Sequence, residues 1–157
     1  MVHKSDKKYK LKICVVTVST TRTIETDVSG RNLENKFIEE GYSVTRTICS
    51  DDEIMILDRL VYCKDSDIIV YVGGTGPSKK DHTYHTLSEI ADKEIIGFGE
   101  LFRSRSKVPL SYLSNASLFL RGTQQIYCIP GSPDATDLAF EIMREIIDHV
   151  YEELHKE

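Results

Sequence analysis

The chain has 157 residues, 40% hydrophobic and 29% charged, which suits one globular domain that buries its own core without a disulfide or metal staple. Nine Gly and four Pro exclude collagen-like and low-complexity sequence, and 20 Lys and Arg against 25 Asp and Glu give a formal net charge of −5. No basic field is available to hold a nucleic acid or an anionic membrane, so a polyanionic ligand must be met by local devices.

Lys4, Lys7, Lys8 and Lys10 leave no apolar core at the start of the chain. This reads neither as a signal peptide nor as a membrane span but, over residues 1–8, as a flexible tail before a single domain at 9–157. Residues 11–18 (LKICVVTV) form a nearly continuous apolar, β-branched run, the pattern of a strand covered on both faces. Residues 67–72 (DIIVYV) and 125–129 (QIYCI) repeat it, while 43–48 (SVTRTI) alternates and predicts a more peripheral strand. Helices are predicted between these runs. Residues 29–40 carry Leu33 and Phe37 on one face and stop at Gly41. Residues 51–63 carry Ile54, Leu57 and Val61 at helical spacing behind three acids that suit the helix dipole. Residues 134–154 carry the stripe Leu138, Ile142, Ile146 and Val150, with Ser132 at the N-cap and Pro133 at the first helical position. The rhythm is that of an α/β domain with right-handed crossovers. Residues 87–122 are irregular, with short helices expected near 83–91 and 97–106 and a strand near 118–121. Cys14, Cys49, Cys63 and Cys128 form no C-x-x-C pair. They are expected to be buried free thiols of a cytoplasmic protein, not zinc ligands.

In open α/β sheets ligands bind beyond the carboxyl ends of the strands, which selects residues 19–30, 50–52, 73–81 and 130–134. Gly73, Gly74, Thr75 and Gly76 directly follow an apolar strand, and their bare amides, with Lys79 and Lys80 just beyond, suit a phosphate; a plain tight turn is the equal alternative. The loop is neither a P-loop nor a dinucleotide fingerprint, because Ser78 and Lys79 stand where those motifs need glycine. Gly131 and Ser132 in Pro-Gly-Ser-Pro fit capping chemistry or a phosphate contact. Asp51 and Asp81 each follow a strand and are read either as helix N-caps or as a pair that holds Mg²⁺ with substrate phosphates. His82 and His85, three apart, lack a third metal ligand in view.

These segments in order (GGTGPSKKDHT at 73–83, DKEIIGFGELFR at 92–103 and IPGSPDA at 129–135) are similar to the MoaB/Mog family of molybdopterin adenylyltransferases. VTVS at 16–19, TDVSG at 26–30 and residues 50–52 extend the resemblance over essentially the whole chain after residue 9. It implies the molybdopterin-binding fold, a three-layer α/β/α domain with a mostly parallel central sheet. It also implies adenylyl transfer from ATP to molybdopterin with Mg²⁺, releasing pyrophosphate, ahead of molybdenum or tungsten insertion by a downstream protein. Carried over by position, Asp51 and Asp81 are the catalytic, metal-handling acids. Gly73, Gly74, Thr75, Gly76 and Lys79 meet phosphates, Gly131 and Ser132 hold the terminal phosphate of molybdopterin, and Asp27, Ser29 and Gly30 lie beside the ligand. A homo-oligomer, trimeric or hexameric, is implied too, with Phe98, Leu101 and Phe102 either at its interface or in the monomer core. The chain departs from the family where Thr20 replaces a common Asp, and where Asp81-His82-Thr83-Tyr84-His85 lacks the usual Pro and second acid. Cys49 and Ser50 replace a common hydrophobic residue and Pro. The alternative function is a module that binds pterin without catalysis.

Overall fold

Strand β1 (Lys12–Val18) lies between β2 (Ser43–Cys49) and β3 (Ile68–Val72), all parallel. The computed structural model describes residues 9–157; the tail expected over 1–8 lies outside the described residues. The sheet has six strands in the order β2-β1-β3-β6-β5-β4, with β6 (Gln124–Ile129) parallel to β3. Strand β5 (Ser117–Arg121) runs antiparallel to β6 across a two-residue turn at 122–123, and β4 (Lys93–Ile95) runs antiparallel to β5. Only β5 is reversed, so the sheet is mostly parallel as expected. The short β4 was not anticipated, because three residues leave no periodicity to read.

Alternation along β1 shows how the sheet separates two cores. Ile13 and Val15 point into a cluster with Leu33 and Phe37 of α1 (Val28–Glu39), Phe98 and Phe102 of α4 (Ile96–Arg105) and Met143 of α5 (Pro133–Leu154). Cys14, Val16 and Val18 point the other way, to Ile56 and Leu60 of α2 (Glu53–Tyr62) and Leu87 of α3 (Thr83–Ile90). Burial on both faces is why β1 and β3 read as unbroken apolar runs. The three-layer α/β/α arrangement follows.

Several local expectations are corrected. Helix α2 is capped by Asp52, whose side chain accepts from Met55 N at 2.9 Å, not by Asp51. Its buried residues are Ile56 and Leu60, whereas Ile54 (78%) and Val61 (70%) are exposed. This helix has two apolar stripes, and only packing on the sheet selects one of them. On α5 the inner face is Ala139, Met143 and Ile147, and of the expected stripe only Ile142 is fully buried. Phe98 and Phe102 belong to the monomer core, while Leu101 is exposed. Two of the four thiols are paired, Cys14 with Cys63 across β1 and the end of α2. Cys49 and Cys128 are free and buried, and desolvation pushes their thiols up to about 11 and about 12, leaving them unreactive. Ser132 caps α5 by accepting from Ala135 N at 3.3 Å, as expected.

Candidate functional site

The parallel strands β1, β3 and β6 end side by side, and the segments that follow them form one edge of the molecule. The glycine loop after β3 is stitched on three sides. Gly73 N donates to Ile129 O (2.8 Å), Thr83 Oγ1 donates to Gly73 O (2.8 Å), and Thr75 O accepts from Asn115 N (2.9 Å). Gly73 and Gly74 have φ of 108° and 69°, a region that favours glycine. A Cβ at Gly73 would run into the Val18 carbonyl, and one at Gly74 into Thr83 Oγ1 and the Asp51 carboxylate. Among the described residues, the N–H groups of Gly74, Thr75, Gly76, Gly131 and Ser132 have no hydrogen-bond partner. Bare amides in a rigid turn beside the N-terminus of α5 are an arrangement that suits an anion.

Both acids sit against this loop. Asp51 Oδ1 accepts from His82 N (3.0 Å), and its other oxygen faces Gly74. Asp81 lies against Gly76, and its Oδ2 accepts from Ser78 N at 3.0 Å. Neither acid caps the helix that follows it. His82 Nδ1 lies 3.0 Å from Asp51 O and 3.3 Å from Asp51 Oδ1, whereas His85 turns outward to Glu89 at 3.1 Å. The two histidines therefore share no site. Among the described residues no three His, Cys, Asp or Glu side chains gather into a metal-binding group, so any ion here needs ligand oxygens to complete its shell.

The segment at 27–30 is a structural joint. Asp27 is fully buried, and its Oδ2 accepts from Thr17 Oγ1 (2.6 Å) and pairs with Arg46 NH1 (3.1 Å). Its Oδ1 accepts from Gly30 N (3.1 Å) as the N-cap of α1. Gly30 permits this close approach, since a Cβ there would overlap the Asp27 carboxylate and Thr17 Oγ1. Ser29 is buried, with its hydroxyl unpartnered. Asp27 thus forms the floor of the site with its charge already answered. Lys79 is exposed on the loop and lines none of the cavities around it.

Three depressions meet at residues 130–132. One of about 420 Å³ is lined by Ser19, Arg22, Gly73, Gly131 and Ser132, and one of about 380 Å³ by the glycine loop and Asp81. The third and largest, about 550 Å³, lies between α4 and α5. Arg22 was not anticipated from the sequence. Its side chain makes no ion pair or hydrogen bond among the described residues, and it brings a positive charge beside a helix N-terminus, a combination that suits an anion.

A parallel-sheet edge with bare amides, two loop-facing carboxylates and a guanidinium that has no ion pair among the described residues makes this an α/β protein whose sheet edge suits an anionic ligand. The family follows from comparison: residues 14–149 match the model described as a probable molybdopterin binding domain, and the chain belongs to that family. It is 35% identical to molybdenum cofactor biosynthesis protein B of Bacillus cereus over 99% of this chain and 97% of that protein. A crystal structure of a molybdenum cofactor biosynthesis protein B matches with a TM-score of 0.88 at 35% identity, covering 95% of this chain and 98% of that one. The tungsten cofactor synthesizing protein MoaB from Pyrococcus furiosus matches with a TM-score of 0.83 at 26% identity, over 96% of this chain and all (100%) of that one.

Proposed function

We propose that the chain acts in molybdenum or tungsten cofactor biosynthesis as a molybdopterin adenylyltransferase. A phosphate oxygen of molybdopterin attacks the α-phosphorus of ATP. The new P–O bond forms as the bond to the β-phosphate oxygen breaks, and pyrophosphate leaves. Such a reaction needs no protein nucleophile. It needs two polyanions held in line with their charge answered. The observation that carries the reading is the pair Asp51 and Asp81, both set against a glycine loop whose amides are free.

The donor set fits Mg²⁺, which is commonly held by one or two carboxylates plus substrate phosphates. Asp51 and Asp81 would hold it, and when bound it supplies neutralisation of the phosphate charge. Gly74, Thr75 and Gly76 orient phosphate oxygens through their amides, and Gly131 and Ser132 hold the phosphate of molybdopterin. Thr83 keeps the loop in register. Arg22 adds a charge-assisted contact on the Ser132 side. Replacing Arg22 by Gln is expected to raise the KM for the phosphate-bearing substrate about tenfold with kcat nearly unchanged, and Lys to restore part of it. Steady-state kinetics at two salt concentrations checks this.

The direct test is anaerobic incubation of the protein with molybdopterin, ATP and Mg²⁺, with the product sought by mass spectrometry. An adenylylated pterin establishes the transferase; pterin binding without it makes this a binding module. A homo-oligomer, trimer or hexamer, is part of the same reading and is supported by exposed Ile96, Leu101 and Tyr112 around α4 and the 3₁₀ turn (Pro109–Leu113). Sedimentation velocity gives the mass. Cytoplasmic location and hand-over to a metal-insertion protein belong to this proposal too. No helix among the described residues is long and apolar enough to cross a membrane.

A further inference from the structure

Helix α3 starts at a residue outside the Ser, Thr, Asp and Asn that cap best. His82 occupies the N-cap, yet its side chain makes no bond to the first-turn amides of that helix. The ring turns instead to the segment after β2, 31 residues away in sequence. Nδ1 lies 3.0 Å from Asp51 O and 3.3 Å from Asp51 Oδ1, and the His82 backbone N–H donates to the same Oδ1 at 3.0 Å. A carbonyl and a carboxylate only accept, so these contacts place the ring hydrogen on Nδ1. They occupy Oδ1 and leave Oδ2, which faces Gly74, without a hydrogen-bond partner among the described residues. The Asp51 side chain keeps 16% of its surface exposed and His82 38%, so the pair lies at the surface of the site and not in the core. The two acids differ in how they are held. Asp81 takes a bond from Ser78 N in its own loop, whereas the carboxylate of Asp51 takes none from its own segment and is held by His82.

Resting on the reading above, in which Asp51 and Asp81 hold Mg²⁺, we propose that His82 is the positioning residue for Asp51: it locks Oδ1 so that Oδ2 is presented to the cation beside the glycine loop. A carboxylate on a loop loses rotational freedom when it takes up an ion, and one already held by hydrogen bonds loses less. Outer partners of this kind also fix which oxygen faces the metal. Their weight is greatest where protein ligands are few. Among the described residues no third His, Cys, Asp or Glu joins the two acids, so affinity depends on how well each acid is aimed. Because His82 directly follows Asp81, the same contacts tie the two acid-bearing segments to each other. Residues 81–83 thus send consecutive side chains to Ser78, Asp51 and Gly73, which joins both acids to the loop.

The test uses the full chain with Mn²⁺ as the probe, titrated at fixed ATP and read by water-proton relaxation. His82→Phe keeps a ring of similar size and deletes the donor, whereas His82→Asn sets an amide N–H close to the place of Nδ1. His82→Phe is expected to weaken Mn²⁺ in the ternary complex about tenfold, and His82→Asn to stay within about threefold of the wild type. In the transfer assay His82→Phe should raise the Mg²⁺ concentration for half-maximal rate about tenfold, with the KM for molybdopterin unchanged and most of kcat recovered at saturating Mg²⁺. A mere tie between segments would lower the thermal midpoint and leave Mn²⁺ affinity where it was. His82→Gln carries its amide out toward the place of Nε2, is expected to behave like His82→Phe, and serves where His82→Phe does not fold. Unchanged Mn²⁺ affinity in both His82→Phe and His82→Gln overturns the positioning role. So does rescue by Gln and not by Asn, which would set Nε2 directly on the ion or the phosphates. Mn²⁺ lost in Asp51→Asn but kept in His82→Phe removes this role alone and leaves the two acids standing. A wild type that forms no ternary Mn²⁺ complex removes the metal reading and this role together. Metal affinity that falls as expected, with no adenylylated product from the wild type, removes the transferase and leaves the positioning role.

Discussion

Asp51→Asn and Asp81→Asn are each expected to reduce adenylyl transfer about 10²–10³-fold, about 3–4 kcal/mol of transition-state stabilisation, while pterin affinity changes little. The side-chain geometry makes this a clean comparison. Asp51 accepts the His82 N–H and Asp81 the Ser78 N–H, and an Asn carbonyl can accept either bond. The loop therefore keeps its shape while the negative charge that would hold a divalent cation is lost. The loss should fall on kcat, because the developing charge at the α-phosphorus and the leaving pyrophosphate is greater in the transition state than in the bound substrates. Rates of product formation at saturating ATP, alongside pterin titrations of the same variants, measure both. If the two acids merely tie the loop, Asn replaces them and transfer continues at the wild-type rate. That outcome would remove the catalytic assignment.

Asp27→Asn is expected to lower stability by about 3–5 kcal/mol, the range for stranding one partner of a buried ion pair. Arg46 has only 9% of its side chain exposed and pairs with Asp27 at 3.1 Å. Its remaining partners are the Ile24 carbonyl and, at 3.5 Å, Glu34. Removing the Asp27 charge leaves the guanidinium buried with too little compensation, and the Thr17 hydroxyl loses an anionic acceptor. Urea denaturation measures the change, and the double variant Asp27→Asn with Arg46→Gln should recover part of it, since it removes the stranded charge. At a temperature where the variant is folded, KM should stay near the wild-type value. A raised KM at unchanged stability would instead return Asp27 to the ligand, the role implied by its place in the D-x-S-G segment.

Comparison of these acids shows where reading the chain stops. All three stand beyond a strand and before a helix, and nothing local distinguishes them. Asp27 is consumed by Arg46, 19 residues away; Asp51 meets His82 across 31 residues; Asp81 bonds within its own loop. The glycine loop, by contrast, was legible because its cause is local: a covered strand, then glycines with positive φ. The same holds for Pro-Gly-Ser-Pro, where capping at Ser132 is a matter of adjacent residues. Arg22 carried no signal at all, as one arginine in a polar loop looks like any other until the N-terminus of α5 is brought beside it.

The sequence by itself determined the strands β1, β2, β3 and β6, the helices α1 and α5, and the two turns at 73–76 and 130–133, because covered-strand runs, helical spacing and caps depend on neighbours a few residues apart. Tertiary structure decided which stripe of α2 is inside, that Cys14 meets Cys63, and that Asp27 is a joint. It also created the slot between α4 and α5, whose walls come from segments as far apart as Phe102 and Leu138. Such features exist only once the sheet order is set, since they are contacts between residues whose positions are independent until the β-strands pair.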